Sequence, residues 1–409
     1  MNLEYFIAKR LNGAASYKSS ASATIIKIAI AAIALGMVMM LIAVGTGLGL
    51  QKKIREKVAA FNGDILISNF DGNNSQETIN PIPRNQDFYP DFDAVPEVTH
   101  VQAVASKAGI IRTATDFEGV LVKGLGDDYD WSRIEEYIVE GRQPNFTEDK
   151  VNTEMMISRY LANRLGFVLE DKVVIYFGQE GKLRSLRLDI VGIYESAYQE
   201  FDKVFLIADI RHIQRINKWS KNEVGAFEVF VNDFDQLQSI NNKVYDNTGS
   251  TLNAISVIQS NRFIFEWIKL FDFNILLIIA LLIVVAGLNI IVALIVLILD
   301  RIKMIGILKA LGSTNWSIRK VFLYNAMYLI GLGLFWGNIF GIGLLLVQKY
   351  FGVIQLDPVT YYVDSAPVLL DPGIILALNL GVFILCLLML VLPSYIITRI
   401  NPVKTIRFE

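Results

Sequence analysis

The sequence predicts a membrane protein of four transmembrane α-helices, with a large mixed α/β extracytoplasmic domain between helices 1 and 2. Three observations carry that prediction. With 53 % hydrophobic residues and a mean hydropathy of +0.43, the 409-residue chain is too apolar for a soluble globular protein of its size. Its apolar residues gather in four stretches, each about the 20 residues or slightly more that a helix needs to cross a hydrocarbon core. Between the first and second stretch lies a long segment of ordinary polarity with strand-like runs.

In chain order, residues 1–23 form a mostly polar segment. They hold no short apolar core followed by a small-residue cleavage site, so residues 24–50 are expected to be a retained first span. Residues 51–270 form the α/β domain, with Gln51–Ala60 continuing the first span as a helical stalk and Asn261–Leu270 leading back to the membrane. Within it, Gly119–Gly124, Val173–Phe177 and Ala226–Val231 are runs of β-branched and aromatic residues. Leu183–Ile193 alternates as a strand with one wet face would. Ser158–Leu165 reads as a short helix, with Ser158 as N-cap and Gly166 just past its end. Pro81–Pro96 contains four prolines and is expected to be an ordered surface loop. The second span covers 271–299, a loop 300–318, the third span 319–348, a short loop 349–373, the fourth span 374–398 and a tail 399–409.

Loop charge sets the orientation. Four spans put both termini on the same side as the 300–318 loop. That loop and its edges carry Arg301, Lys303, Lys309, Arg319 and Lys320 against one acid, Asp300. The 349–373 loop carries Lys349 against Asp357, Asp364 and Asp371. The positive-inside rule therefore places the first loop and both tails in the cytoplasm. Arg399, Lys404 and Arg407 agree. Lys52, Lys53, Arg55 and Lys57 run against this, nearly matching Lys9, Arg10, Lys18 and Lys27 before the first span. The first span alone leaves orientation open, and the later loops decide it.

Several chemistries find no residues. A net charge of −2 carries no suggestion of nucleic acid. One cysteine, Cys386, allows neither an internal disulfide nor a cysteine zinc cluster. His100 and His212 have no ligand neighbour at metal spacing and read as surface histidines. There is no P-loop, G-x-S-x-G or H-E-x-x-H motif. No charged residue lies deep in a span, which disfavours a proton-coupled carrier. Asn289, Asn325, Asn338 and Asn379 are read as interhelical hydrogen-bonding groups, with substrate contact as the alternative. The chain is therefore expected to be no enzyme, to hold no catalytic, metal or cofactor site, and to draw its energy from another subunit.

The stretch IKMIGILKALGSTNWSIRKVF between the second and third spans is cationic and amphipathic. As a helix it puts Met304, Leu308 and Leu311 on one side, with Gly312 placed to end it. Such a helix is marginal alone. Periodicity leaves two readings open: a groove of a partner protein, or the lipid headgroups.

The order of spans, the large domain after the first, and "IGILKALGSTNWSIRKVF" resemble the permease superfamily that includes FtsX, MacB and LolC/LolE. The tail "ITRINPVKTIRFE" is similar to that superfamily's ending, and "FIAKRL", "YESAYQEFDKVFLI" and "DPVTYYVDSAPV" resemble its lipoprotein-releasing LolC/LolE branch. The resemblance implies a MacB-type periplasmic core and a bacterial inner-membrane location with cytoplasmic termini. It implies a coupling helix at Met304, Ile305, Leu308, Leu311 and Gly312 that docks on a cytoplasmic ATPase (LolD-like), which binds ATP and Mg. It further implies a second permease subunit, copy or paralogue, an acylated lipoprotein substrate and a periplasmic carrier (LolA-like). Lys303 stands where the superfamily usually has an acid, and the turn FGQEGK lacks the proline of the carrier-recruiting hook of LolC-type members. LolC-like and LolE-like roles thus stay open.

Pulling acyl chains into water costs about 0.8 kcal/mol per CH₂, so release calls for an apolar cavity. The first two spans are its expected walls, with Met37, Met40, Val44, Phe271 and Asn274 as lining residues. Met37, Met39 and Met40 suit varied acyl chains, plain packing being the alternative. Phe263, Trp267 and Phe271 form an interfacial aromatic belt or the cavity mouth. Gly333, Gly337 and Gly341 repeat at i, i+4, i+8, a small-residue face expected to receive the fourth span. An FtsX-like permease that drives a cell-wall hydrolase and a MacB-like efflux permease are the alternative functions.

Overall fold

In a computed structural model the described residues are 3–13, 21–70, 77–114, 116–146, 151–179, 181–391 and 393–399. The chain opens with α1 (Leu3–Gly13) and α2 (Ala21–Asn62). There follow β1 (Ile65–Asn69), β2 (Ile82–Pro83), β3 (Val98–Arg112), β4 (Phe117–Leu125), β5 (Ile138–Gly141) and β6 (Glu154–Ser158). Next come α3 (Arg159–Leu165), β7 (Lys172–Gln179), β8 (Lys182–Tyr194), α4 (Gln199–Asp202), β9 (Phe205–Asp209) and α5 (Ile210–Asn217). β10 (Glu223–Val224), β11 (Ala226–Val231), α6 (Leu237–Asp246), β12 (Leu252–Ser256) and α7 (Val257–Ser260) complete this region. The remaining helices are α8 (Arg262–Asp300), α9 (Ile302–Ala310), α10 (Asn315–Phe351), α11 (Pro358–Tyr361), α12 (Pro372–Val391) and α13 (Ile396–Arg399). They fall into two compact units: Lys52–Glu266 with Leu356–Asp364, and Met1–Gln51 with Trp267–Gln355 and Ser365–Glu409.

The α/β unit is built on a mixed sheet in the order β12-β1-β11-β3-β4-β9-β6-β8-β5, with β7 pairing both β3 and β8. These pairings close a ring of six strands, β3-β4-β9-β6-β8-β7. β4–β9 and β6–β8 are parallel, and the short β3–β7 contact at Ile110↔Tyr176 and Ile111↔Ile175 shuts the ring. Ile111, Ile157, Ile175, Phe177, Leu188 and Leu206 are fully buried. The strands anticipated at 119–124, 173–177, 183–193 and 226–231 lie within β4, β7, β8 and β11. In β8 the alternation holds from Leu186 onward, but Leu183 at the hairpin tip is exposed. The tip runs past the last β3–β7 pair, so no third strand covers it.

Local capping follows the sequence. Ser158 accepts from the Leu161 amide and Gly166 closes α3 at φ +73°. The proline-rich Pro81–Pro96 segment is a correction. Ile82 pairs with Val224, and Ile82, Phe88, Phe92 and Val95 are buried, so much of this loop is core. Its aromatic and aliphatic residues outweigh the turn signals, because burying one large side chain is worth roughly 1.5–3 kcal/mol. The histidines are corrected too: His212 is buried, its Nε2 2.7 Å from the Asn152 carbonyl oxygen, and half-buried His100 sits 3.0 Å from that of Asp128. Each ring fills space while its polar edge meets a backbone carbonyl.

The four cations after the first span are engaged within the α/β unit or along α2. Lys53 pairs with Glu136 at 2.9 Å, Arg55 with Asp235 at 3.0 Å and Lys52 with Glu56 at 3.8 Å. Lys57 is buried and donates to the Tyr362 carbonyl at 2.7 Å. These are structural partners, which accounts for basic residues on a side that loop charge assigns to acids.

Among the described residues, four helices are long and apolar enough to cross a membrane: Thr24–Asn62, Arg262–Asp300, Asn315–Phe351 and Pro372–Thr398. Their shared core includes Ile33, Met37, Met40, Ile290, Phe322 and Cys386. Much of α8 is exposed along Leu276, Leu281, Leu288 and Val292. In a bilayer such a face meets acyl chains at no cost.

Candidate functional site

The insert between the second and third spans is a helix, α9, ended as a glycine ends helices. Gly312 sits at φ +89°. Its amide donates to the Lys309 carbonyl at 3.0 Å, and the Ser313 amide donates to that of Leu308 at 3.0 Å. This pair of bonds satisfies carbonyls that would otherwise be orphaned.

Which side of α9 faces out differs from the periodicity. Ile305 is fully buried, and Met304 and Leu308 pack against the helical core. The large apolar side chains left exposed are Ile307, at 54 %, and Leu311, at 78 %. Leu311 caps the C-terminal end of α9, its amide still donating to the Ile307 carbonyl, and its side chain is exposed while those of Met304 and Leu308 are packed. With Lys303, Ile307 and Leu311 make an exposed row at i, i+4, i+8. Sequence reasoning missed Ile307, although this spacing was the available signal.

Two cations near α9 hold the end of the fourth span. Lys309 Nζ donates to the Ile397 carbonyl at 2.8 Å, and burial lowers its pKa. Arg319 is buried, donates through Nε to Ser394 Oγ at 3.0 Å, and lies 4.0 Å from the Tyr395 ring centroid. Cations at the C-terminal carbonyls of a helix are favourable because they meet its negative dipole end. The tail 400–409, with Pro402 and Arg407, lies outside the described residues, as do residues 1, 2 and 14–20.

The residues assigned to an acyl-chain cavity differ in exposure, although the first and second spans do meet near them, where a Cβ at Gly47 would touch Ile275 Cδ1 at 2.5 Å. Met37, Met40 and Val44 are buried, whereas Asn274 is exposed and Phe271 makes an edge-on contact with Trp267 at 4.9 Å. Met37 is held against the glycine face of α10. A Cβ at Gly333 would meet Ile33 Cβ at 2.7 Å, one at Gly337 would meet Met37 Cβ at 2.6 Å, and one at Gly341 would meet Leu41 Cδ1 at 2.7 Å. The small-residue face therefore receives the first span, not the fourth. The matching increments also make α2 and α10 run parallel. The fourth span instead meets α10 through Asn338 and Asn379, which bond each other. Asn289 donates to the Val285 carbonyl of its own helix, and buried Asn325 has no side-chain hydrogen bond among the described residues. Interhelical bonding thus holds for two of the four asparagines. No cluster of metal-ligating side chains occurs among the described residues.

Four apolar helices, a mixed α/β unit entered after the first, and a short amphipathic helix between the second and third define a multi-span membrane protein of the permease class. A family model described as MacB-like periplasmic core domain matches residues 28–245, and one described as FtsX-like permease C-terminal matches residues 276–402. The chain belongs to the FtsX/MacB superfamily of ABC transporter permeases. It is similar to the lipoprotein-releasing system transmembrane protein LolC of Xylella fastidiosa (strain 9a5c), 20 % identical over 62 % of this chain and 65 % of that protein's length. It is also similar to the protein of that name from Neisseria meningitidis serogroup B, 24 % identical over 77 % of this chain and 78 % of the relative. The periplasmic region of MacB from Actinobacillus actinomycetemcomitans aligns over 49 % of this chain and 91 % of its own at 13 % identity, with a TM-score of 0.33, too loose to carry an argument.

Proposed function

We propose that this chain is the permease subunit of an ABC transporter that extracts acylated lipoproteins from the inner membrane and hands them to a periplasmic carrier. ATP is hydrolysed by a separate cytoplasmic ATPase seated on α9, and a second permease, copy or paralogue, completes the membrane part. The observation that carries the coupling is the exposed row Lys303, Ile307 and Leu311 on a helix whose opposite side, at Ile305, is locked into the chain's own core. A push on the outer face of such a helix reaches the spans without slack, since packed interiors deform little. Lipoprotein release is favoured over the FtsX-like and MacB-like outputs by the LolC relatives, which align over 62–77 % of the chain.

Acyl chains then enter at the exposed apolar face of α8 against the second permease, because within one chain Met37 and Met40 are already packed. The test is reconstitution of the chain, the cytoplasmic ABC ATPase that co-purifies with it and a radiolabelled triacylated lipoprotein in proteoliposomes. ATP-dependent appearance of the lipoprotein in the soluble fraction, only when a periplasmic carrier is added, supports the reading. ATP hydrolysis without release under those conditions removes lipoprotein extraction, leaving the permease class intact.

A further inference from the structure

A groove of about 550 Å³ runs along the surface between α2 and α10, lined by Lys27, Ile30, Ala34, Val38, Trp336 and Phe340 among others. We propose that it is a binding site for an anionic phospholipid, with one acyl chain along the groove and the phosphate at Lys27.

The lining gives the chemistry. All but one of the groove's side chains are apolar, and the exception, exposed Lys27, stands at its N-terminal end, with no carboxylate partner among the described residues. Ala31 and Ala34 set the floor back, and the Trp336 and Phe340 rings, stacked with centroids 5.9 Å apart, raise one wall.

Dimensions select the occupant. From Lys27 to Val38 a helix rises about 16–17 Å. That is the depth of one leaflet, half of a hydrocarbon core about 30 Å thick. The volume spread over that length gives a cross-section of roughly 30 Å², about 6 Å across, whereas a helix with side chains is about 10–12 Å wide. An acyl chain fits and a helix of a second copy does not. A single cation at the apolar–polar boundary favours an anionic headgroup by about 1 kcal/mol, close to five-fold in affinity.

Trp336 supplies the readout. The full chain is reconstituted in phosphatidylcholine bilayers containing increasing fractions of chain-brominated phosphatidylglycerol or chain-brominated phosphatidylcholine. The Trp336 component is the fluorescence difference between wild type and Trp336→Phe. Half-maximal quenching is expected at about five-fold lower mole fraction for the anionic lipid. Lys27→Gln should abolish that preference while leaving quenching itself. Ala34→Phe should reduce quenching by both lipids, with Ala31→Leu as the milder filling variant if Ala34→Phe does not fold. Equal quenching by the two lipids in wild type reduces the site to ordinary lipid contact and overturns the proposal. Absence of quenching by either means protein covers the groove, which also overturns it. A preference surviving in Lys27→Gln removes the headgroup contact.

Discussion

Asn338 and Asn379 exchange amide hydrogen bonds in both directions: Nδ2 of Asn338 donates to Oδ1 of Asn379 at 2.7 Å, and Nδ2 of Asn379 donates back at 3.0 Å. Each amide also donates to a carbonyl of its own helix, Leu334 and Ile375 respectively. The pair thus joins α10 to α12 in an apolar setting with its polar atoms satisfied.

Removing one partner leaves the other amide short of a bond. Asn338→Leu or Asn379→Leu should each destabilise by about 1–2 kcal/mol, and the double variant by less than the sum. Thermal unfolding of the full chain in detergent measures this. Additive losses would show that the two side chains act independently.

The glycine face predicts a graded series. At Gly337 an added methyl meets Met37 Cβ and the Ala34 carbonyl oxygen, at 2.6 and 2.9 Å, and neither can retreat easily. At Gly341 the nearest atom is the tip of Leu41, which can change rotamer. Gly337→Ala should therefore cost more than Gly341→Ala, within the roughly 1–3 kcal/mol of overpacking. Gly331→Ala, facing open space, should be neutral or slightly stabilising. Folded yield and melting temperature rank the three.

On α9, proposed to seat the ATPase, Ile307→Asp and Ile305→Asp should fail in different ways. Ile307 is exposed, so its variant should fold normally yet lose the ATPase on detergent extraction. Ile305 is buried, and an unpaired charge there is expensive, so its variant should lose folded protein. Full retention of the ATPase by Ile307→Asp would move the docking face elsewhere.

Asp64 carries a pH prediction for the α/β unit. Burial pushes its pKa up to about 6, against a hydrogen bond from the Val231 amide. Its folded pKa exceeds its unfolded value of about 3.9. The folded state therefore binds the extra proton, and that stabilisation is full below about pH 4 and lost as pH rises through about 6. At pH 7 the buried carboxylate costs about 3 kcal/mol relative to its protonated form. Asp64→Asn should thus gain stability relative to wild type at pH 7 and lose that advantage by pH 4. Melting curves of both chains across that range give the answer, and a constant difference would contradict it.

The sequence by itself determined the four spans, because about 20 consecutive apolar residues have no other stable solution on this scale. It determined the strands at Gly119–Gly124 and Ala226–Val231 and the capping at Ser158, Gly166 and Gly312, whose causes lie within a few residues. Only the tertiary structure decided which faces of those elements meet. Periodicity put Met304, Leu308 and Leu311 together, but the core packs Met304 and Leu308, buries Ile305 and leaves Ile307 and Leu311 outside. The glycine repeat marked a close helix approach without naming the partner, and Ile33, Met37 and Leu41 of α2 proved to fill it. Of the methionines that suit a cavity, Met37 and Met40 proved to be packed, while Met39 stays exposed. The buried Lys123–Glu228 pair, 2.5 Å apart with Gln102 on the same carboxylate, also escaped notice. A charge inside the strand run GVLVKG is informative only once the sheet brings its partner within reach. Local chemistry fixes an element, whereas the choice of neighbour depends on residues tens to hundreds of positions away.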